Sequence, residues 1–102
     1  MSAVWAALGD PHRRALLAFL LEGPRAVGEL VGRTRLSQPS TSKHLRVLRE
    51  AGLVEVHQDA QRRLYGLRAE PLVEVGVWLE PYRRFWADRL DALERYLDAK
   101  EE

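Results

Sequence analysis

A chain of 102 residues with net charge +1 and no cysteine has room for one modest core, helped by dimerisation, and excludes disulfides and thiolate metal sites. No apolar run approaches the ~20 residues of a membrane span and Met1-Ser2-Ala3 begins no signal peptide, so the chain reads as soluble and cytoplasmic. The small net charge hides an asymmetry: residues 1–68 carry 11 Lys/Arg against 6 Asp/Glu, and residues 69–102 carry 5 against 9, as expected of one surface facing a polyanion and another facing elsewhere.

Val4, Trp5 and Leu8 mark a short first helix, which Gly9 breaks. Asp10-Pro11 then supplies an N-cap and a proline for the first turn of a second helix. Ala15, Leu16, Phe19 and Leu20 recur there at helical spacing, and Gly23-Pro24 ends it. A third helix spans Ala26 to Thr34 with Val27, Leu30 and Val31 apolar, and Arg35-Leu36 form a turn. Ser37 caps a fourth helix, which tolerates Pro39 in its first turn. On it Thr41, Leu45 and Leu48 share an inward face. Ser42, Lys43, Arg46 and Glu50 face the other way, and Gly52 stands where a left-handed helix end belongs.

Val54–Gln58 and Arg63–Leu67 read as two strands joined by Asp59-Ala60-Gln61-Arg62, a hairpin. Beyond Pro71 the pattern is helical again, with Pro81 expected to kink or split it. Tyr82, Trp86, Leu90, Leu93 and Leu97 fall at spacings of four, four, three and four, the seam of packed helices. With no repeat, low-complexity tract or linker, residues 1–102 read as one domain. It holds a helix-turn-helix at 26–51, a wing at 54–67 and dimerisation helices at 1–8 and 71–98.

The fold class is therefore mainly α with a small β-hairpin, a winged helix-turn-helix. At this point the chain resembles the ArsR/SmtB family of bacterial repressors. The residues that carry the resemblance are Leu8-Gly9-Asp10-Pro11-His12-Arg13-Arg14, Val27-Gly28-Glu29-Leu30, Leu36-Ser37-Gln38-Pro39, Ser42-Lys43-His44-Leu45, Leu48-Arg49-Glu50-Ala51-Gly52-Leu53-Val54 and Arg62-Arg63-Leu64-Tyr65. The resemblance implies a homodimeric, nucleoid-associated repressor whose partners are double-stranded DNA, as a palindromic operator, and a second copy of itself. It leaves any small-molecule or protein effector unnamed. The chain departs from the metal-sensing members: the cysteine pair of their third helix aligns with Ala26 and Gly28, and no histidine follows His57. Zinc and similar ions need clustered Cys, His or carboxylate ligands, so a non-metal member with no cofactor is expected.

Gln38, Ser40, Ser42 and Lys43 are the candidates for contact with base edges, since Gln binds adenine through two hydrogen bonds and Ser or Lys reach purine acceptors. Arg46, and the wing residues Arg62 and Arg63, are candidates for phosphate or minor-groove contact, with Arg62 favoured over Arg63. Arg13 and Arg14 are further phosphate candidates. Val4, Trp5, Leu8, Tyr82, Trp86, Leu90, Leu93 and Leu97 are candidates for the dimer interface, where aromatic side chains bury large areas at low entropic cost. Trp78, Phe85 and Tyr96 fit a helix-helix contact better than a ligand pocket. His44 reads as structural, and His12 and His57 as isolated.

Two rival classes are weaker. A winged helix used only for protein contact would expose more apolar surface on its fourth helix. An enzyme would need a phosphate-cradling Gly-rich loop, a nucleophile elbow or a metal-ligand cluster, and the sequence has none.

Overall fold

The computed structural model describes residues 2–101, which fall into two compact units, a body ending at Leu72 and a unit beginning at Val73. In the body, α1 (Ala3–Leu8) starts at Ser2, whose Oγ accepts from the Val4 N–H at 3.2 Å. α2 (Pro11–Leu20) starts at Asp10, whose carboxylate accepts from the His12 N–H at 2.7 Å. Pro11 loses nothing at this first position, because the N–H it lacks would have had no partner.

α3 (Val27–Thr34) has alanine at its cap, which offers no acceptor. Only the returning half of a capping box forms there, Glu29 accepting from the Ala26 N–H at 3.3 Å. α4 (Gln38–Glu50) is capped by Ser37, whose Oγ accepts from the Ser40 N–H. Its far end closes as the sequence suggests. Gly52 adopts φ 77°, its N–H donates to Arg49, and the Leu53 N–H donates to Leu48, the paired bonds of a Schellman motif.

The hairpin is β2 (Val54–Asp59) with β3 (Arg62–Leu67), paired antiparallel from Val54↔Leu67 to Asp59↔Arg62. Its turn is tighter than expected, with Ala60 and Gln61 alone between the strands and Ala60 at φ 55°. A third strand, β1 (Arg25–Ala26), pairs with β3 through Arg25↔Tyr65 and Ala26↔Leu64, giving the order β1-β3-β2. Two residues carry no periodicity, so nothing in the sequence marks β1.

One core unites the body: Val4 and Ala7 from α1, Leu16, Leu17 and Leu20 from α2, Leu30 from α3, Leu45 and Leu48 from α4, and Leu53 and Val54 beyond it. Thr41 lies fully buried among them, as its spacing with Leu45 and Leu48 implies. Val4 is the exception to the expected roles. It is 4% exposed in the single chain, so its side chain is already spent on the core and is not available to a partner.

α5 (Val73–Glu101) follows a short 3-10 turn at Glu70–Leu72. It continues through Pro81 as one helix, so the proline does not split it. Pro81 removes a single backbone donor, a local loss that a helix of this length absorbs. Among the described residues, no helix is long and apolar enough to cross a membrane.

Candidate nucleic-acid interface

The helix-turn-helix angle is held by a small hydroxyl network. Thr34 Oγ1 donates to the Val31 carbonyl at 3.2 Å and lies 3.2 Å from Thr41 Oγ1, and it accepts from the Leu36 N–H at 3.3 Å. A hydroxyl has one proton and two lone pairs. With its proton on Val31, Thr34 must accept from Thr41, so every group in the network is satisfied. The buried Thr41 of α4 is thereby tied to the last turn of α3.

This tie fixes which side of α4 faces out. Gln38, Pro39, Ser40, Lys43, Arg46 and Arg49 are exposed and Ser42 is half-buried. A shallow depression of about 420 Å³ runs over Pro39, Ser40, Ser42, Lys43 and Arg46. A second groove of about 260 Å³ adjoins it, lined by Ser42, Leu45, Arg46, Arg49, Arg63 and Tyr65. Ser42 and Arg46 border both, so the outer face of α4 and one face of the wing form a continuous surface. Among the described residues Lys43, Arg46, Arg49 and Arg63 make no ion pair. Four uncompensated cations around polar side chains make a surface that attracts a polyanion.

The two wing arginines separate. Side chains alternate along a strand, so Arg63 and Tyr65 join the α4 groove while Arg62 lies on the other face. There Arg62 Nη2 pairs with Glu29 at 2.9 Å, within a chain of ion pairs that also engages Arg25, Glu22 and Arg33. The order of preference between Arg62 and Arg63 is thus reversed by geometry: the compensated cation is Arg62. Arg49, which with Lys43 and Arg46 is one of the cations that follow the polar start of α4, also lines the groove, as does Tyr65, which was not a candidate. The 46–49 spacing on one helix face was the available signal for Arg49. For Tyr65 it was the two-residue step from Arg63.

Arg13 and Arg14 do not belong to this surface. Arg13 Nε donates to the Ala7 carbonyl at 2.6 Å and Nη2 to Ala6 at 3.1 Å, while Arg14 Nη1 donates to Leu8 at 2.6 Å. Both guanidiniums bind carbonyls in the last turn of α1: those of Ala7 and Leu8 have no helical partner, while that of Ala6 also accepts from the Gly9 N–H. Arg13 Nη1 also donates to His44 Nδ1 at 3.3 Å, which leaves the imidazole proton on Nε2. His44, 5.7 Å from the His12 ring, is therefore structural, linking α4 to the α1–α2 junction. Partial burial opposes ionisation of nearby Asp10. The backbone N–H groups of His12 and Arg13 and the charge of Arg13 outweigh it and hold the carboxyl below its ordinary 3.8. His57 has a partner of its own, Glu55 Oε1 at 2.9 Å.

On α5 the expected seam is on the surface of the single chain, with Tyr82 47%, Trp86 51%, Leu90 64%, Leu93 51% and Leu97 50% exposed. Trp5 and Leu8 of the body are half-buried.

Residues 10–56, from the cap of α2 into β2, match the family model described as bacterial regulatory protein, arsR family. The chain is 38% identical over 96 residues to the HTH-type transcriptional regulator Rv2034 of Mycobacterium tuberculosis, covering 94% of this chain and 87% of that one. It is 32% identical over 79 residues to the transcriptional repressor SdpR of Bacillus subtilis, covering 78% and 88%. The transcriptional activator HlyU of Vibrio cholerae is 36% identical over 80 residues, covering 78% and 71%. The solved structure of HlyU superposes with a TM-score of 0.63 at 33% identity, over 78% of this chain and 88% of that one. A winged helix-turn-helix body with a cationic recognition surface, matched in sequence and in fold, places the chain in the ArsR family of bacterial regulatory proteins, as a DNA-binding transcriptional regulator and not an enzyme.

Proposed function

We propose that the chain is a sequence-specific repressor that binds a palindromic operator as a homodimer and is not gated by metal. The observation that carries this reading is the continuity of the α4 outer face with the Arg63 side of the wing. Gln38, Ser40, Ser42 and Lys43 read bases in the major groove, and Arg46, Arg49 and Arg63 hold the flanking phosphates. Arg62 contributes less, because Glu29 already neutralises it. Repression needs nothing beyond occupancy of a site that polymerase must use, and the relative SdpR bears the name of a repressor. The regulator works at the chromosome, hence in the cytoplasm.

The second copy follows from α5. Its exposed row of Tyr82, Trp86, Leu90, Leu93 and Leu97 is a larger apolar surface than a monomer keeps in water, and a twofold dimer is the commonest closure. Trp5 and Leu8, half-buried on the body, are further candidates for contact with the second copy. Two copies hold two recognition helices ~34 Å apart, one turn of DNA. Against metal gating stand the absence of cysteine and, among the described residues, of any cluster of three His, Asp or Glu able to hold an ion.

Selection of bound sequences from random duplexes tests the reading: an inverted repeat with half-sites one turn apart is expected. Leu90→Glu with Leu93→Glu should give a monomer by sedimentation. Affinity for the selected palindrome should then fall by orders of magnitude, because the half-sites lose their high effective concentration. A selected site without symmetry, or a monomer that keeps full affinity, refutes the dimeric mechanism.

A further inference from the structure

The ten arginines of the body sort into three groups. Arg13 and Arg14 hold the carbonyls of α1. Arg25, Arg33, Arg62 and Arg68 are paired with glutamates. The other four make no ion pair among the described residues: Arg46 and Arg49 on α4, Arg63 on the wing, and Arg35 in the turn. Three of these four line the proposed DNA surface. The fourth stands two residues before the Ser37 cap of α4, exposed.

Arg35 also has a backbone that its residue type does not favour. It closes α3 in the left-handed conformation, φ 60° and ψ 16°, with its N–H donating to the Val31 carbonyl at 3.1 Å. That is the position where glycine is the stable choice, since a Cβ crowds the following carbonyl. The end of α4 follows the rule, with Gly52 at φ 77°, and the chain beyond α2 also turns at a glycine, Gly23 at φ 133°. Only after α3, where the turn leads into the recognition helix, does a long cation occupy such a position.

We infer that Arg35 is a DNA-contacting residue, its guanidinium meeting a backbone phosphate beside the start of α4 at some expense to the fold. The inference rests on the reading that the outer face of α4 lies against DNA. It makes the turn a third anchor, in addition to the helix and the wing, on the side of α4 remote from Arg49.

The test exploits the opposition between fold and contact, using the full chain with Arg35→Gly, Arg35→Gln and Arg35→Lys. Thermal midpoints are measured at fixed protein concentration, and DNA binding by anisotropy at several salt concentrations. Arg35→Gly should raise the midpoint by a few degrees. It should weaken DNA binding about 3- to 10-fold and reduce the salt slope by about one unit, the signature of one lost phosphate contact. Arg35→Gln should show the same DNA loss without the thermal gain, and Arg35→Lys should restore most of the slope. A residue that merely shapes the turn would move stability and affinity together and would not distinguish Gln from Lys. An unchanged salt slope in Arg35→Gly and Arg35→Gln overturns the inference. Arg46→Ala serves as the control. If it lowers the slope while the Arg35 variants do not, only the role of Arg35 falls. If it too leaves the slope unchanged, the placement of α4 on DNA falls with it.

Discussion

Replacing Arg13 by methionine should unsettle the fold without touching the DNA surface. The side chain is only 17% exposed and donates to the carbonyls of Ala6 and Ala7 and to His44 Nδ1. Hydrogen bonds to a charged group contribute ~1.5–3 kcal/mol each, and a carbonyl left unpaired adds its own cost. The 3.9 Å approach to Asp10 adds little, being long and partly solvated. The three bonds share one guanidinium and are not additive, and methionine retains most of the apolar stem. A net loss of about 3 kcal/mol follows. At about 4–8 °C per kcal/mol for a domain of this size, the midpoint should fall by ~12–24 °C. Lysine should not rescue it, since a single ammonium cannot span the three acceptors. Urea titrations at fixed protein concentration would give the loss, and anisotropy below the transition would give the salt slope of DNA binding, which should match the parent. A loss under ~1 kcal/mol combined with a slope lower by one unit would make Arg13 a phosphate ligand and refute its assignment to α1.

The wing arginines should behave unequally. Arg63→Ala should weaken binding to operator and random duplex alike and lower the salt slope by about one unit, whereas Arg62→Ala should leave the slope near the parent value. The opposite order in the same titration would show that DNA strips Arg62 from Glu29. Asp10 should tune acid stability. Its carboxyl titrates lower in the folded state than the ordinary 3.8, so its contribution is present above that value and is lost as pH falls through the lower folded-state value. Asp10→Asn keeps a good cap and should resemble the parent at pH 3 more than at pH 7. Urea midpoints at both pH values would show it, and an equal gap at the two refutes the assignment.

Legibility in the sequence followed the range of each interaction. The caps of α2 and α4, the left-handed Gly52 and the inward row Thr41–Leu45–Leu48 are set within a few residues, and all were readable. β1 was not, because its pairing with Tyr65 and Leu64 lies some forty residues away. The roles of Arg13 and Arg14 escaped for a related reason. Their partners lie across the α1–α2 junction, and an arginine near a helix start gives no sign of which carbonyl it will find. Arg62 and Arg63 differ by the parity of one strand, which becomes informative only once the position of Glu29 is known. Val4 fell on the wrong side of a short helix whose six residues give too little periodicity to fix its buried face. Arg35 looked like any polar turn residue until its dihedral angles set it beside Gly23 and Gly52.

The pairing of β1 with the middle strand also bears on how quickly and how selectively DNA is engaged. β3 is flanked on both sides at Leu64 and Tyr65, so toward the tip only two residue pairs, Gln58↔Arg63 and Asp59↔Arg62, extend past the three-stranded region. At ~3.4 Å per residue the free lever is ~7 Å long, too short to sweep through many orientations. A long, loose wing would surrender conformational freedom on every encounter and add a sequence-dependent ordering penalty. This one arrives already ordered, at small entropic expense. Discrimination between operators then rests with the side chains of α4, and exchanging the Ala60-Gln61 tip should alter general affinity for DNA far more than the choice of site.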